Sequence, residues 1–81
     1  MRPTFYARNL KVIGEHRIVG NNHLRFKVKG GNICFDAIAF KMGNRLLDIS
    51  KPGKRLTLAF VIEENEWMGE KTIQLNVRGI E

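Results

Sequence analysis

One cysteine, Cys34, stands alone among 81 residues, so the chain can close no internal disulfide and cannot build a cysteine-based zinc site by itself. No motif surrounds it, and it reads as a small core hydrophobe. Only two prolines, set against 43% hydrophobic residues, exclude a disordered tail. No apolar run approaches the ~18 residues of a membrane span, and the basic, polar N-terminus lacks the apolar stretch of a signal peptide. A reduced, cytoplasmic setting without a membrane partner is expected. Histidine is scarce as well. His16 and His23 have no Asp or Cys at metal-ligand spacing, and both read as exposed loop residues. Asp36 and Asp48 lie on different segments with no histidine partner. Phosphate-loop motifs fail: Gly53-Lys54-Arg55 has Asp48 where the upstream glycine belongs and no Ser or Thr after the lysine, and Gly69-Glu70-Lys71-Thr72 puts Glu in the lysine's place. No nucleophile, base and oxyanion donor assemble. The chain is expected to be no enzyme and to take no small-molecule substrate, because so short a chain has little core in which to shape a pocket.

Positive charge is abundant. Fourteen Lys and Arg against eight Asp and Glu leave a net +6. Residues 1–61 hold twelve basic and three acidic side chains, whereas residues 62–81 hold two basic and five acidic. A basic body with an acidic end points to a polyanionic partner on one face, beyond mere solubilisation.

The hydropathy pattern is β almost throughout, with no repeat or linker, so residues 1–81 are expected to form one domain. Residues 5–13 and 15–19 are extended and meet at Gly14, where a glycine inside a long strand marks a sharp bend. Gly20-Asn21-Asn22 makes a turn. Leu24, Phe26 and Val28 then alternate with Arg25, Lys27 and Lys29, and Gly30-Gly31 supplies a hairpin. Residues 33–40 form an apolar strand whose phase alternation does not settle. Met42 to Gly53 lacks strand alternation and reads as one or two helical turns. Residues 55–63 point Leu56, Leu58, Phe60 and Ile62 inward. Residues 72–80 point Ile73, Leu75 and Val77 inward, with Thr72, Gln74, Asn76 and Arg78 outward. Glu64 to Glu70 reads as a solvated hairpin loop whose glutamates repel one another. This is an all-β pattern: a five-stranded OB-fold barrel with a bent first strand and a short helical connection between strands 3 and 4. An SH3-like barrel is the rival of similar length.

In OB-folds the second and third strands, with the first-to-second and fourth-to-fifth loops, line the ligand groove. Arg25, Lys27 and Lys29 project from one face of the second strand, about 6.8 Å apart by strand rise, close to the spacing of successive phosphates in an extended single strand. Arg17 and Lys41 extend this stripe. Tyr6, Phe40 and Trp67 are candidate stacking residues, while Phe26, Phe35 and Phe60 read as core. Basic side chains beside aromatics suit sequence-tolerant single-strand binding. Trp67 has two competing roles. Its loop position favours stacking on a base, whereas counting back from Leu75 in steps of two sets it on the inward phase, as a plug at the barrel end, the role preferred here.

The stretches FDAIAFKMG (35–43) and LTLAFVIEENEWMGEKTIQLNVRGI (56–80) resemble the C-terminal OB module of RecJ-type single-strand-specific exonucleases. The matching positions are Ala37, Ile38, Ala39, Phe40, Leu58, Ala59, Phe60, Asn65, Trp67, Gly69, Gln74, Leu75, Val77 and Ile80. Ala39 departs mildly, standing where many relatives have glycine. The resemblance implies part of a larger bacterial exonuclease of DNA repair and recombination, which degrades single-stranded DNA from the 5′ end with Mn²⁺ or Mg²⁺. Its Asp- and His-rich metal motifs belong to other domains, and none of them occurs in these 81 residues. The implied role of this chain is therefore to hold single-stranded DNA and to pack on the catalytic domains, without a cofactor or catalysis of its own. A structural or protein-interaction module is the alternative.

Overall fold

Residues that tolerate a left-handed backbone decide where these strands bend and turn. In the computed structural model, which describes residues 2–81, strand β1 runs Phe5–Val19, β2 His23–Gly30, β3 Ile33–Ala39, β4 Arg55–Trp67 and β5 Glu70–Ile80. Gly14 takes φ 65° between the register shifts of Ile13 and Arg17. It bends β1 so that its first part pairs with β4 and its second with β2. A second irregularity, between Ala7 and Leu10, has Asn9 at φ 61°. Asparagine tolerates this conformation because its short polar side chain can bond locally.

The strands close in the order β1-β2-β3-β5-β4. All neighbours are antiparallel except β3 and β5, which run parallel from Asp36↔Gln74 to Ile38↔Asn76. This is the OB-fold, with its connection between β3 and β4 reduced to a 3₁₀ turn at Gly43–Arg45 and one α turn, α1, at Leu46–Ile49. These are the one or two helical turns expected within Met42 to Gly53.

Inward residues pack into one core that includes Leu24, Phe26, Val28, Ala37, Ala39, Leu56, Leu58, Leu75 and Val77. Each fully buried Leu or Val contributes about 1.5–3 kcal/mol relative to exposure. On β5 the partners step from Ala59↔Gly79 to Phe60↔Val77. Arg78 is left without a partner there, and Ile80 rather than Gly79 turns into the core.

The helical turn closes one end of the barrel. Ile49 enters the core, the Gly43 amide donates to the Asn22 carbonyl at 3.1 Å, and Arg45 Nη2 donates to the Ile80 carbonyl at 2.8 Å. Ser50 Oγ donates to the Leu46 carbonyl at 2.5 Å and lies 2.8 Å from His16 Nε2. With its own hydrogen committed, Ser50 accepts from His16. His16 and His23 are therefore not exposed loop residues: both are half-buried in strands, and His23 Nδ1 accepts the Lys41 amide at 3.1 Å.

The other end is open. An apolar cavity of about 170 Å³ is lined by Ala7, Leu10, Val28, Phe35, Phe60, Ile62, Ile73 and Leu75. Here β4 and β5 leave the barrel as a two-stranded ribbon. The expected loop from Glu64 to Glu70 is instead paired strand, from Glu64↔Ile73 to Trp67↔Glu70. Its turn is just Met68-Gly69, with φ 51° and 84°, positive at both central positions as a type I′ hairpin requires. Ile62 and Ile73 hold the inward phase but are 44% and 53% exposed, because the barrel has ended beneath them.

Candidate nucleic-acid interface

Leu24, Phe26 and Val28 are buried, which turns Arg25, Lys27 and Lys29 outward on β2. Register then supplies neighbours that alternation along one strand cannot. Directly opposed antiparallel residues share a face. Arg17 lies opposite Arg25, Ile13 opposite Lys27, and Lys11 opposite Lys29. On the far side, Ile38 pairs with Arg25, Asp36 with Lys27 and Cys34 with Lys29. Lys11 also faces Arg55 of β4. Between the strands lies a concavity of about 150 Å³, lined by Glu15, Arg17, Arg25, Phe26, Lys27 and Asp36.

The charges on this face are mostly uncompensated. Lys27 Nζ lies 3.8 Å from Asp36 Oδ1. Among the described residues, Lys11, Arg17, Arg25, Lys29 and Arg55 enter no ion pair. Like charges placed directly opposite one another destabilise a sheet, so Arg17/Arg25 and Lys11/Lys29 both carry a folding cost that an anion would relieve.

Cys34 does not enter the core. It is exposed on the outer phase of β3, opposite Lys29, because the inward phase there belongs to Ala37 and Ala39. Phe40 continues the outer phase beyond β3, is half exposed, and meets His23 edge-on with ring centroids 4.9 Å apart. Lys41 follows with φ 60°. Phe40, His23 and Lys41 thus gather at the Arg25 end of the face, beside the Gly20–Asn22 turn.

Tyr6 stands elsewhere. It pairs with Ala59 and, with Thr57, Gly79 and Glu81, lines the wall that β1 forms with β4 and β5. The fold therefore does not bring Tyr6 to the β2–β3 stripe.

Trp67 does not plug the barrel: it is 79% exposed. Counting in twos from Leu75 fails at a two-residue turn, because Trp67 pairs with Glu70, whose phase is opposite to that of Leu75. Trp67, Asn65 and Glu63 share the ribbon's outer face with Glu70, Thr72 and Gln74. That face joins the stripe through Gln74↔Asp36 and Asp36↔Lys27. Asn76, expected outward, lies on the same face yet is only 8% exposed, flanked in register by Ile38 and Val61. The glutamates are less self-repelling than their spacing suggests. Glu63 pairs with Arg2 at 3.2 Å and Glu64 with Lys71 at 3.6 Å.

Lys11, Arg55, Glu15 and Asp36 join this face through register and the β1 bulge, which alternation along one strand does not reveal. The Gly20–Asn22 turn alone would have indicated Arg17 opposite Arg25. Lys11 needs the two extra β1 residues between Ile13 and Arg17, which slide it opposite Lys29. For the metal that the family resemblance implies, the fit fails: no group of three or more His, Cys, Asp or Glu among the described residues could hold an ion. No helix among them is long and apolar enough to cross a membrane.

Comparison with known proteins gives two matches. Residues 1–79 match the family described as the RecJ OB domain. Over 80 residues the chain is 39% identical to the single-stranded-DNA-specific exonuclease RecJ of Haemophilus influenzae, an alignment covering 95% of this chain. The chain spans 13% of the length of that curated relative. No solved structure matches.

Proposed function

The chain belongs to the RecJ OB-domain family, and from that premise we propose that it is the non-catalytic single-stranded-DNA-binding module of a larger bacterial exonuclease acting in DNA repair and recombination in the cytoplasm. The observation that carries the reading is the pair of like-charge rows on one barrel face, Arg17 opposite Arg25 and Lys11 opposite Lys29. Such rows cost stability in the free domain and gain it back against phosphate. Lys41, beside Phe40 at the Arg25 end, adds to the same field. Phe40 and exposed Trp67 offer ring faces that bases can reach only when unpaired, which favours single strand over duplex. Tyr6, on another wall, serves a strand only if it wraps around the barrel.

Titration of a labelled oligonucleotide at several salt concentrations tests this. Binding is expected to weaken with salt, with a slope of about −0.7 in log K per neutralised phosphate, and to be stronger for single strand than for duplex. No binding at low salt would overturn it.

A second reading is favoured by the open apolar end. Exposed Ile62 and Ile73 border a cavity lined entirely by apolar side chains, a surface suited to packing on the catalytic domains of the parent enzyme. Replacing both with serine should then weaken association with those domains while leaving oligonucleotide binding intact. Unchanged association would remove this reading.

A further inference from the structure

The basic face is not a uniform stripe. Its two ends carry opposed cations without partners, whereas its middle carries carboxylates. At one end stand Arg17 and Arg25, and at the other Lys11 and Lys29, with Arg55 behind Lys11. Between them Lys27 faces Asp36 at 3.8 Å, and Glu15, within the β1 bulge, lines the same concavity. Taken as formal charges, the ends are strongly positive and the middle is net negative.

We propose that this face holds a single-stranded backbone at two separated phosphate seats, Arg17 with Arg25 and Lys11 with Lys29, and that Asp36 and Glu15 keep phosphate away from Lys27 between them. This rests on the DNA-binding reading above. Arg25 and Lys29 are four residues apart on one strand, about 13 Å by strand rise. That distance suits two phosphates with one intervening phosphate turned outward. A phosphate over Lys27 would meet two carboxylates for one ammonium. The Lys27–Asp36 pair is itself weak, since both side chains are about half exposed and such pairs contribute roughly 0–1 kcal/mol. Asp36 therefore acts on the ligand more than on the fold, setting the spacing at which a backbone is accepted.

The test is the salt slope for a labelled oligodeoxythymidine across single variants. Arg25→Ala and Lys29→Ala should each weaken binding several-fold and flatten the slope, by up to about 0.7 when a seat is lost. Lys27→Ala should leave both nearly unchanged. The double variant Glu15→Gln, Asp36→Asn should tighten binding and steepen the slope by about 0.7, as the freed Lys27 gains a phosphate. Thermal melts should show no loss of stability. Arg25→Ala and Lys29→Ala should melt at or slightly above wild type, since each removes an opposed like charge, and the other variants should stay close to it. If wild type binds but Lys27→Ala costs as much as Arg25→Ala, or if the double variant binds no better, the two-seat arrangement is wrong while DNA binding stands. If wild type fails to bind at low salt, both are overturned.

Discussion

At the residue scale, several side chains carry more than their type implies. The Arg45 hydrogen bond to Asp48, at 2.6 Å, holds that carboxyl below its usual range, and nearby Lys54 and Lys51 act in the same direction. A carboxylate depressed in the folded state contributes stability above its unfolded pKa and loses it as pH falls through the folded value. Asp48→Asn should therefore flatten the stability profile on the acid side, near and below the ordinary carboxylate range, as seen in denaturant titrations at a series of pH values. Gly43 is required by close approach. A Cβ there would run into the Asn22 side chain and come within 3.3 Å of the Asn22 backbone carbonyl. Trp67→Ala, by contrast, should change stability by no more than about 0.5 kcal/mol, as exposed substitutions do. The free domain should give a red-shifted tryptophan spectrum that single-stranded DNA quenches. A blue-shifted spectrum with large destabilisation would restore the plug.

At the scale of elements, the β4–β5 ribbon departs furthest from a simple strand-loop-strand hairpin. Its turn forces Met68 to φ 51°, which costs a non-glycine L-residue roughly 1–2 kcal/mol. Asn-Gly is the favoured pair for such a turn. Met68→Asn should consequently stabilise the domain by about 1 kcal/mol, measured as a raised denaturant midpoint without a change in slope. The barrel strands respond oppositely to change. Leu58 is fully buried, and Leu58→Ala should cost about 2–5 kcal/mol through lost burial and a residual cavity. The α1 turn is too short to hold itself. Ile49 in the core, the Ser50–His16 contact with β1, and the bonds of Gly43 and Arg45 in the preceding 3₁₀ turn to the Asn22 and Ile80 carbonyls keep it in place as the lid of one barrel end.

At the scale of the whole molecule, charge is distributed by wall. The face of β1, β2 and β3 collects uncompensated cations, the ribbon collects glutamates, and the open end collects exposed apolar side chains. These divide the surface into a region suited to a polyanion and a region suited to packing. Purified chain given Mn²⁺ or Mg²⁺ should not degrade single-stranded DNA, because its described carboxylates and histidines form no cluster able to hold the ion. Cleavage that persists after nuclease-free repurification would contradict this.

The amino-acid sequence by itself determined the strand count, the bend at Gly14, the inward phase of Leu24, Phe26 and Val28, the outward phase of Arg25, Lys27 and Lys29, and the family. All of these rest on residues close together in the chain, or on motifs read directly from it: alternation, turn formers and local charge. Only the tertiary structure decided which side chains meet. The β1 bulge that brings Lys11 opposite Lys29, the register that sets Asp36 against Lys27, and the outward phase of Cys34 depend on partners on other strands. Trp67 shows the same limit most sharply. Period-two counting holds along one strand, but a two-residue turn inverts it. Burial, moreover, depends on whether the barrel still lies beneath the strand, and under Trp67 it does not.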